Sequence, residues 1–157
     1  MSIIGKRSIY VGPADGSNHK PLNVEGLLTV STAKPGTILE AVPGGLRVSQ
    51  KNSTVFFREL IVADKDQQRS KSVDDVWAQN ETIVGIKARS GEFLNVLVAA
   101  GNDITEHGTP LSVNGAGILQ ISDIPVTVGA TLDWAMCYSD EIINVTGTAA
   151  LVRVRVA

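Results

Sequence analysis

Apolar and polar residues alternate in short runs along this chain, and turn residues break the runs every eight to twelve positions. That spacing is the signature of many short β-strands. The clearest case is Val152-Arg153-Val154-Arg155-Val156, where valines fall on one face and arginines on the other. Strands are also predicted over 24–31, 38–42, 46–50, 55–63, 82–88, 92–99, 109–113, 118–122, 126–128, 131–138 and 149–156. Pro43-Gly44-Gly45 and Asn114-Gly115-Ala116-Gly117 read as hairpin turns, because glycine supplies the positive φ that tight turns need. In strand 55–63, Phe56 and Phe57 fall on opposite faces.

Two regions depart from this pattern. Residues 1–23 hold two small apolar clusters, Ile3-Ile4 and Ile9-Tyr10-Val11, followed by a turn-rich break from Gly12 to Asn18. This fits an extended arm with one short strand, and equally a first strand of the domain at Ser8–Val11. The organisation adopted is an N-terminal arm, 1–23, and a single β domain, 24–157. The stretch 64–72 is charged and reads as an exposed loop. Ser72-Val73-Asp74-Asp75 then resembles a helix start, with Ser72 as cap and acids in the first turn. It supports one or two helical turns at most. No long helix separates the strands, so a βαβ fold is excluded. The expectation is an all-β fold: a small β-barrel or β-sandwich of roughly ten short strands, at most one short helix, and the arm.

Composition narrows the function. With 157 residues and 43% apolar residues, the chain can bury a core without a metal or disulfide. The net charge of −2 argues against a dedicated nucleic-acid surface. No apolar run reaches the roughly 18–20 residues of a membrane span, and the first residues lack the apolar core of an export signal. The single cysteine, Cys137, then suggests synthesis in a reducing cytoplasm. No cofactor is expected.

Candidate chemistry is sparse. Nucleophile-elbow, zinc-protease, phosphate-loop and Cys-x-x-Cys motifs are absent from the sequence. His19 and His107 sit in polar segments, where a solvated histidine is the simpler reading than a metal ligand. Cys137 lies in an apolar strand with no neighbouring base, so it reads as core. Asp74-Asp75 and Asp140-Glu141 suit a helix start and a turn better than acid–base work. Lys65, Arg69 and Lys71, interleaved with acids and amides, fit either a solvated loop or a contact loop for a charged partner. Arg153 and Arg155 could meet an acidic surface or simply blunt an exposed strand. The sequons at Asn52, Asn80 and Asn144 carry little weight without export.

The stretch from Val84-Gly85-Ile86 to Ile121 has a more particular form. It contains Ala99-Ala100-Gly101-Asn102-Asp103-Ile104-Thr105, then Gly108-Thr109-Pro110-Leu111, then Asn114-Gly115-Ala116-Gly117-Ile118-Leu119. With the closing Val152–Val156 alternation, this resembles the capsid decoration, or cement, proteins of tailed bacteriophages. The resemblance covers roughly residues 82–122 and the C-terminus.

It implies a structural virion protein, not an enzyme, on the outer surface of the expanded icosahedral shell. Such a protein clamps neighbouring major capsid protein subunits against DNA pressure, commonly as a homotrimer. It makes no direct contact with nucleic acid or membrane. On this reading residues 2–11 are a capsid-binding arm anchored by Ile3, Ile4, Ile9 and Tyr10, and Arg153 and Arg155 are further contacts. The residues leave other classes open: a tail, baseplate or head-fibre component, a ligand- or carbohydrate-binding β module, or an enzyme. Aromatics at 4% leave few platforms for a sugar.

Overall fold

A computed structural model describes residues 6–13, 20–52, 59–122 and 135–157. These residues form thirteen short strands and no helix. In chain order they are β1 (Tyr10–Gly12), β2 (Asn23–Leu27), β3 (Ile38–Val42), β4 (Gly45–Val48) and β5 (Leu60–Ala63). There follow β6 (Thr82–Ala88), β7 (Phe93–Val98), β8 (Asn102–Ile104), β9 (Pro110–Val113) and β10 (Leu119–Ile121). The last are β11 (Cys137–Ser139), β12 (Ile143–Val145) and β13 (Ala150–Val156). The all-β expectation is met, with three more strands than the ten or so expected.

The C-terminal strands close on themselves. The order β7-β10-β9-β11-β13 returns to β7, because β13 pairs with β7 along six residues, from Ala150↔Val98 to Arg155↔Phe93. The result is a five-stranded barrel, with β1 added at the free part of the β7 edge. Alternation sends Leu94, Val96 and Val98 inward from β7, and Val152, Val154 and Val156 inward from β13; all are buried. Leu111, Val113, Leu119 and Cys137 complete the interior. The small pair β8–β12 lies beside it and contributes Ile104 and Val145 to the same core.

The remaining strands form a second, curled sheet in the order β2-β6-β5-β3-β4. Its ends meet through a bridge between Leu28 and Leu46. Pro43-Gly44 is the two-residue turn between β3 and β4, with Gly44 at φ 91° as the second turn position requires. Leu28, Leu39, Leu46, Ile61 and Ile83 fill the concave side, closed by Trp77. Gly85 faces this core, where a Cβ would lie 2.6 Å from Ile61 Cγ2. Its missing side chain lets β5 and β6 curl over Ile61.

The convex face of the curled sheet carries Ile38, Val62 and Ile86, which lie side by side by register. They belong to the barrel's core cluster, so one apolar core runs through both halves. Backbone bonds join the halves as well. Leu97 N–H donates to Gly36 O (3.0 Å), and Ile38 N–H donates to Gly117 O (2.8 Å).

Several sequence expectations need correction. The helix start at Ser72 is a turn: Asp75 accepts from Ser72 N–H (2.7 Å), and Ser72 Oγ accepts from Asp74 N–H (3.2 Å). Ser and Asp cap a turn as readily as a helix. The chain then straightens so that Trp77 bridges Ala33. The 64–72 loop is not simply exposed, since Asp64 and Asp66 are buried. Strand 126–128, Phe56, Phe57 and the first parts of strands 55–63 and 131–138 lie outside the described residues.

Candidate functional site

The expected arm separates into parts. Ile3 and Ile4 lie outside the described residues. Ile9 is fully buried in this chain's own core, and Tyr10 opens β1, paired with Leu94 of β7. The apolar side chain of Ile9 is therefore spent inside the fold and does not serve as an outward anchor. The segment is fastened at every step. Asn95 Nδ2 donates to Ser8 O (2.7 Å), Asn95 N–H to Ile9 O (2.7 Å) and Lys65 Nζ to Arg7 O (2.9 Å). Lys6 pairs with Glu141. Burial and a hydrogen bond with Glu92 hold the Tyr10 phenol above its ordinary range. Of the apolar side chains described in this segment, Val11 is exposed, at 46%.

The two arginines of β13 differ. Arg153 Nε donates to Asp140 Oδ2 at 2.6 Å, so its charge is matched. Arg155 is exposed, with its guanidinium 5.8 Å from the centre of the Tyr138 ring. That contact leaves its five donors free of any carboxylate among the described residues.

The groups considered for chemistry are largely occupied or inaccessible. Burial pushes the Cys137 thiol up to about 12, so it carries no thiolate at neutral pH. Asp140 and Glu141 are each tied to a separate cation, Arg153 and Lys6. Asp74 and Asp75 are exposed, and hydrogen bonds to Ser72 hold Asp75 below its usual range. His107 is exposed in a turn, and His19 lies outside the described residues. No group of three His, Cys, Asp or Glu suited to a metal occurs among the described residues.

A polar groove of about 460 Å³ lies where the 64–69 loop crosses the faces of β2 and β6. Trp77 anchors that loop by donating its indole N–H to Asp64 O (2.7 Å). Asp66 and Glu81 share Arg69, whose guanidinium stands 6.0 Å from the Trp77 ring centre. The Asp64 carboxylate accepts from Lys65 N–H (2.8 Å) and from Gln67 Nε2 (3.2 Å). Burial nevertheless holds its pKa above the usual carboxylate range. Glu25, also on the groove, is exposed and has no ion pair among the described residues. The interleaved charges of 64–71 pointed to this loop. The contribution of β2 could not be read from them, because Glu25 and Asp64 are brought together only by sheet register. No protein-family model matches the chain, and no curated protein matches it.

Proposed function

We propose that this protein is a structural virion component that binds the outside of an expanded bacteriophage capsid. There it joins neighbouring major capsid protein subunits, as a homotrimer, and stabilises the head against DNA pressure. One observation carries the reading. The stretch that resembles decoration proteins, 82–122, folds as the consecutive strands β6 to β10, and the closing strand β13 lies along β7 of that run. The resemblance thus takes in three of the five barrel strands, β7, β9 and β10, together with β6 of the curled sheet and β8 of the small pair. The occupied or buried state of Cys137, Asp140 and Glu141 fits a binding role that requires no reaction. A clamp selective for the expanded lattice stabilises it by mass action, and repeated copies add avidity.

Of the contacts first considered, Arg155 is the one described residue with an exposed charge that no carboxylate pairs. Ile3 and Ile4 remain candidates at the start of the chain. The test is co-sedimentation with expanded, empty shells of the phage that encodes the protein, with unexpanded shells as control. Saturable binding to expanded shells alone is expected, at a stoichiometry set by three-fold positions. Absence of binding to either shell overturns the proposal. Assembly into six-fold rings points instead to a tail component.

The groove favours a second reading, a ligand-binding module. A sugar ligand gains little support, since Trp77 is only 4% exposed and Arg69 stands over its ring.

A further inference from the structure

The groove borders a sheet edge that the described residues leave open. In the register of β2 with β6, Lys87 N–H donates to Leu22 O and Leu28 N–H donates to Glu81 O. Even-numbered residues of β2 therefore turn their backbone groups to β6, and odd-numbered ones turn theirs to the opposite edge. On that edge Thr29 N–H donates to Leu46 O (3.0 Å), and Leu28 bridges Leu46. There the pairing stops, because β4 begins at the Pro43-Gly44 turn. The strand β2 runs on past this turn. Asn23 and Glu25 have no strand on that side among the described residues, and both are exposed.

The same register sets the charge beside this edge. Glu25 lies opposite Val84, and Asp64 N–H donates to Val84 O (2.9 Å) on its other side. Glu25, Val84 and Asp64 thus form one row across three strands, spanning about 10 Å between the outer Cα atoms. The groove holds four carboxylates against two cations. Arg69 is shared by Asp66 and Glu81, and the Lys65 ammonium is bound to Arg7 O. Asp64 and Glu25 are left without a salt bridge among the described residues.

We propose that the open edge of β2 accepts an extended, basic segment of a protein partner as an added strand, with an arginine or lysine placed opposite Glu25. Backbone groups of Asn23 and Glu25 supply the hydrogen bonds, as in other strand additions. Glu25 and the negative groove behind it select the charge, because opposite charges on facing strand positions attract and like charges repel. The inference concerns a different surface from Arg155 and stands apart from the shell-binding reading.

The experiment is an NMR titration of the full-length ¹⁵N-labelled protein with three capped hexapeptides. One is acetyl-Thr-Val-Thr-Arg-Thr-Val-amide, and the others carry Glu or Gln in place of Arg. The Arg peptide is expected to shift the amide signals of Asn23, Glu25 and Val84 saturably. It should bind about fivefold more tightly than the Glu peptide, the size of one cross-strand charge preference. Glu25→Lys, at an exposed site, should reverse that order without unfolding the protein. Equal binding of the three peptides, shifts that leave the β2 amides unmoved, or an unchanged order in Glu25→Lys would each overturn the proposal.

Discussion

The two halves of this molecule are built from similar strands but use their cores differently. The C-terminal barrel closes around five strands, sealed by the six-residue pairing of β13 with β7 and joined at β7–β10 by the pair Leu119↔Val98, and its interior is almost entirely aliphatic. The curled sheet closes through a single bridge, and beside its core it carries buried Asp64 and Asp66 and a polar groove. The part of the β7 edge that β10 leaves free is covered by β1, so the barrel hides the edge a partner could use. Among the described residues the incompletely closed sheet leaves one uncovered, at Asn23 and Glu25 of β2. Stability and interaction are thus divided between the halves: the barrel holds the shared core, and the sheet presents the open edge and the unpaired carboxylates.

The largest test strikes the barrel. Leu94 is fully buried at the inner face of β7, so Leu94→Ala should cost about 2–5 kcal/mol through lost burial and a cavity. Two probes report on the halves separately: Cys137 labelling for the barrel, and Trp77 fluorescence in a Trp134→Phe background for the sheet. Because Ile38, Val62 and Ile86 of the sheet belong to the barrel's cluster, both unfolding midpoints should fall together. A shift in the Cys137 midpoint alone would show that the halves unfold independently.

The next test strikes the sheet. Gly85→Val forces a side chain against Ile61 and Leu39, and overpacking of this kind costs about 1–3 kcal/mol. Again both probes should move, and by less than in Leu94→Ala. If only Trp77 responds, the shared core does not couple the halves.

The same division explains what the sequence could and could not disclose. Strands with strict alternation or clear turns were legible: β13 from its valines, β3–β4 from Pro43-Gly44, and β9–β10 from Asn114-Gly115. Their signals are local, because side-chain period and turn chemistry act within a few residues. The pair β8–β12 was not legible. Its strands have three residues each and pair Asn102–Ile104 with Ile143–Val145, far apart in sequence. Ile9 could be read as an anchor, but its apolar character does not say whether it anchors to its own core or to another chain. The open edge was illegible for a related reason, since it exists only because β4 turns back level with the end of β2.

A subtler contrast lies in pH. The barrel buries the neutral thiol of Cys137 and, next to β7, Glu92, which Arg89 pairs, whereas the sheet buries Asp64 without a salt bridge among the described residues. Asp64 has a raised pKa in the folded state, so the folded protein holds that proton more tightly than the unfolded chain. This contribution is absent below the unfolded carboxyl range and lowers stability as pH rises through the folded pKa. Asp64→Asn should therefore be more stable than the parent at pH 7, in urea melts, with the difference vanishing near pH 3. A difference that is constant across this range would assign the effect to altered hydrogen bonding with Gln67 instead of charge.

The smallest stability effect is expected at β13, and it separates folding from binding most sharply. Arg153 and Arg155 point to the same side of one strand, yet only Arg153 has a carboxylate. The Arg153–Asp140 pair is partly exposed at both ends, so Arg153→Gln should change stability by no more than about 1 kcal/mol. Its charge is already matched, and shell binding should change little. Arg155→Gln gives up only the contact with Tyr138, about 0.5–1 kcal/mol at an exposed site. If the outer face of β13 meets an acidic capsid surface, Arg155→Gln should weaken co-sedimentation with expanded shells while the unfolding midpoint barely moves. Equal binding by the two variants and the parent would remove β13 from the contact surface. Of the contact surfaces proposed, the first residues and the edge of β2 would then remain to be tested.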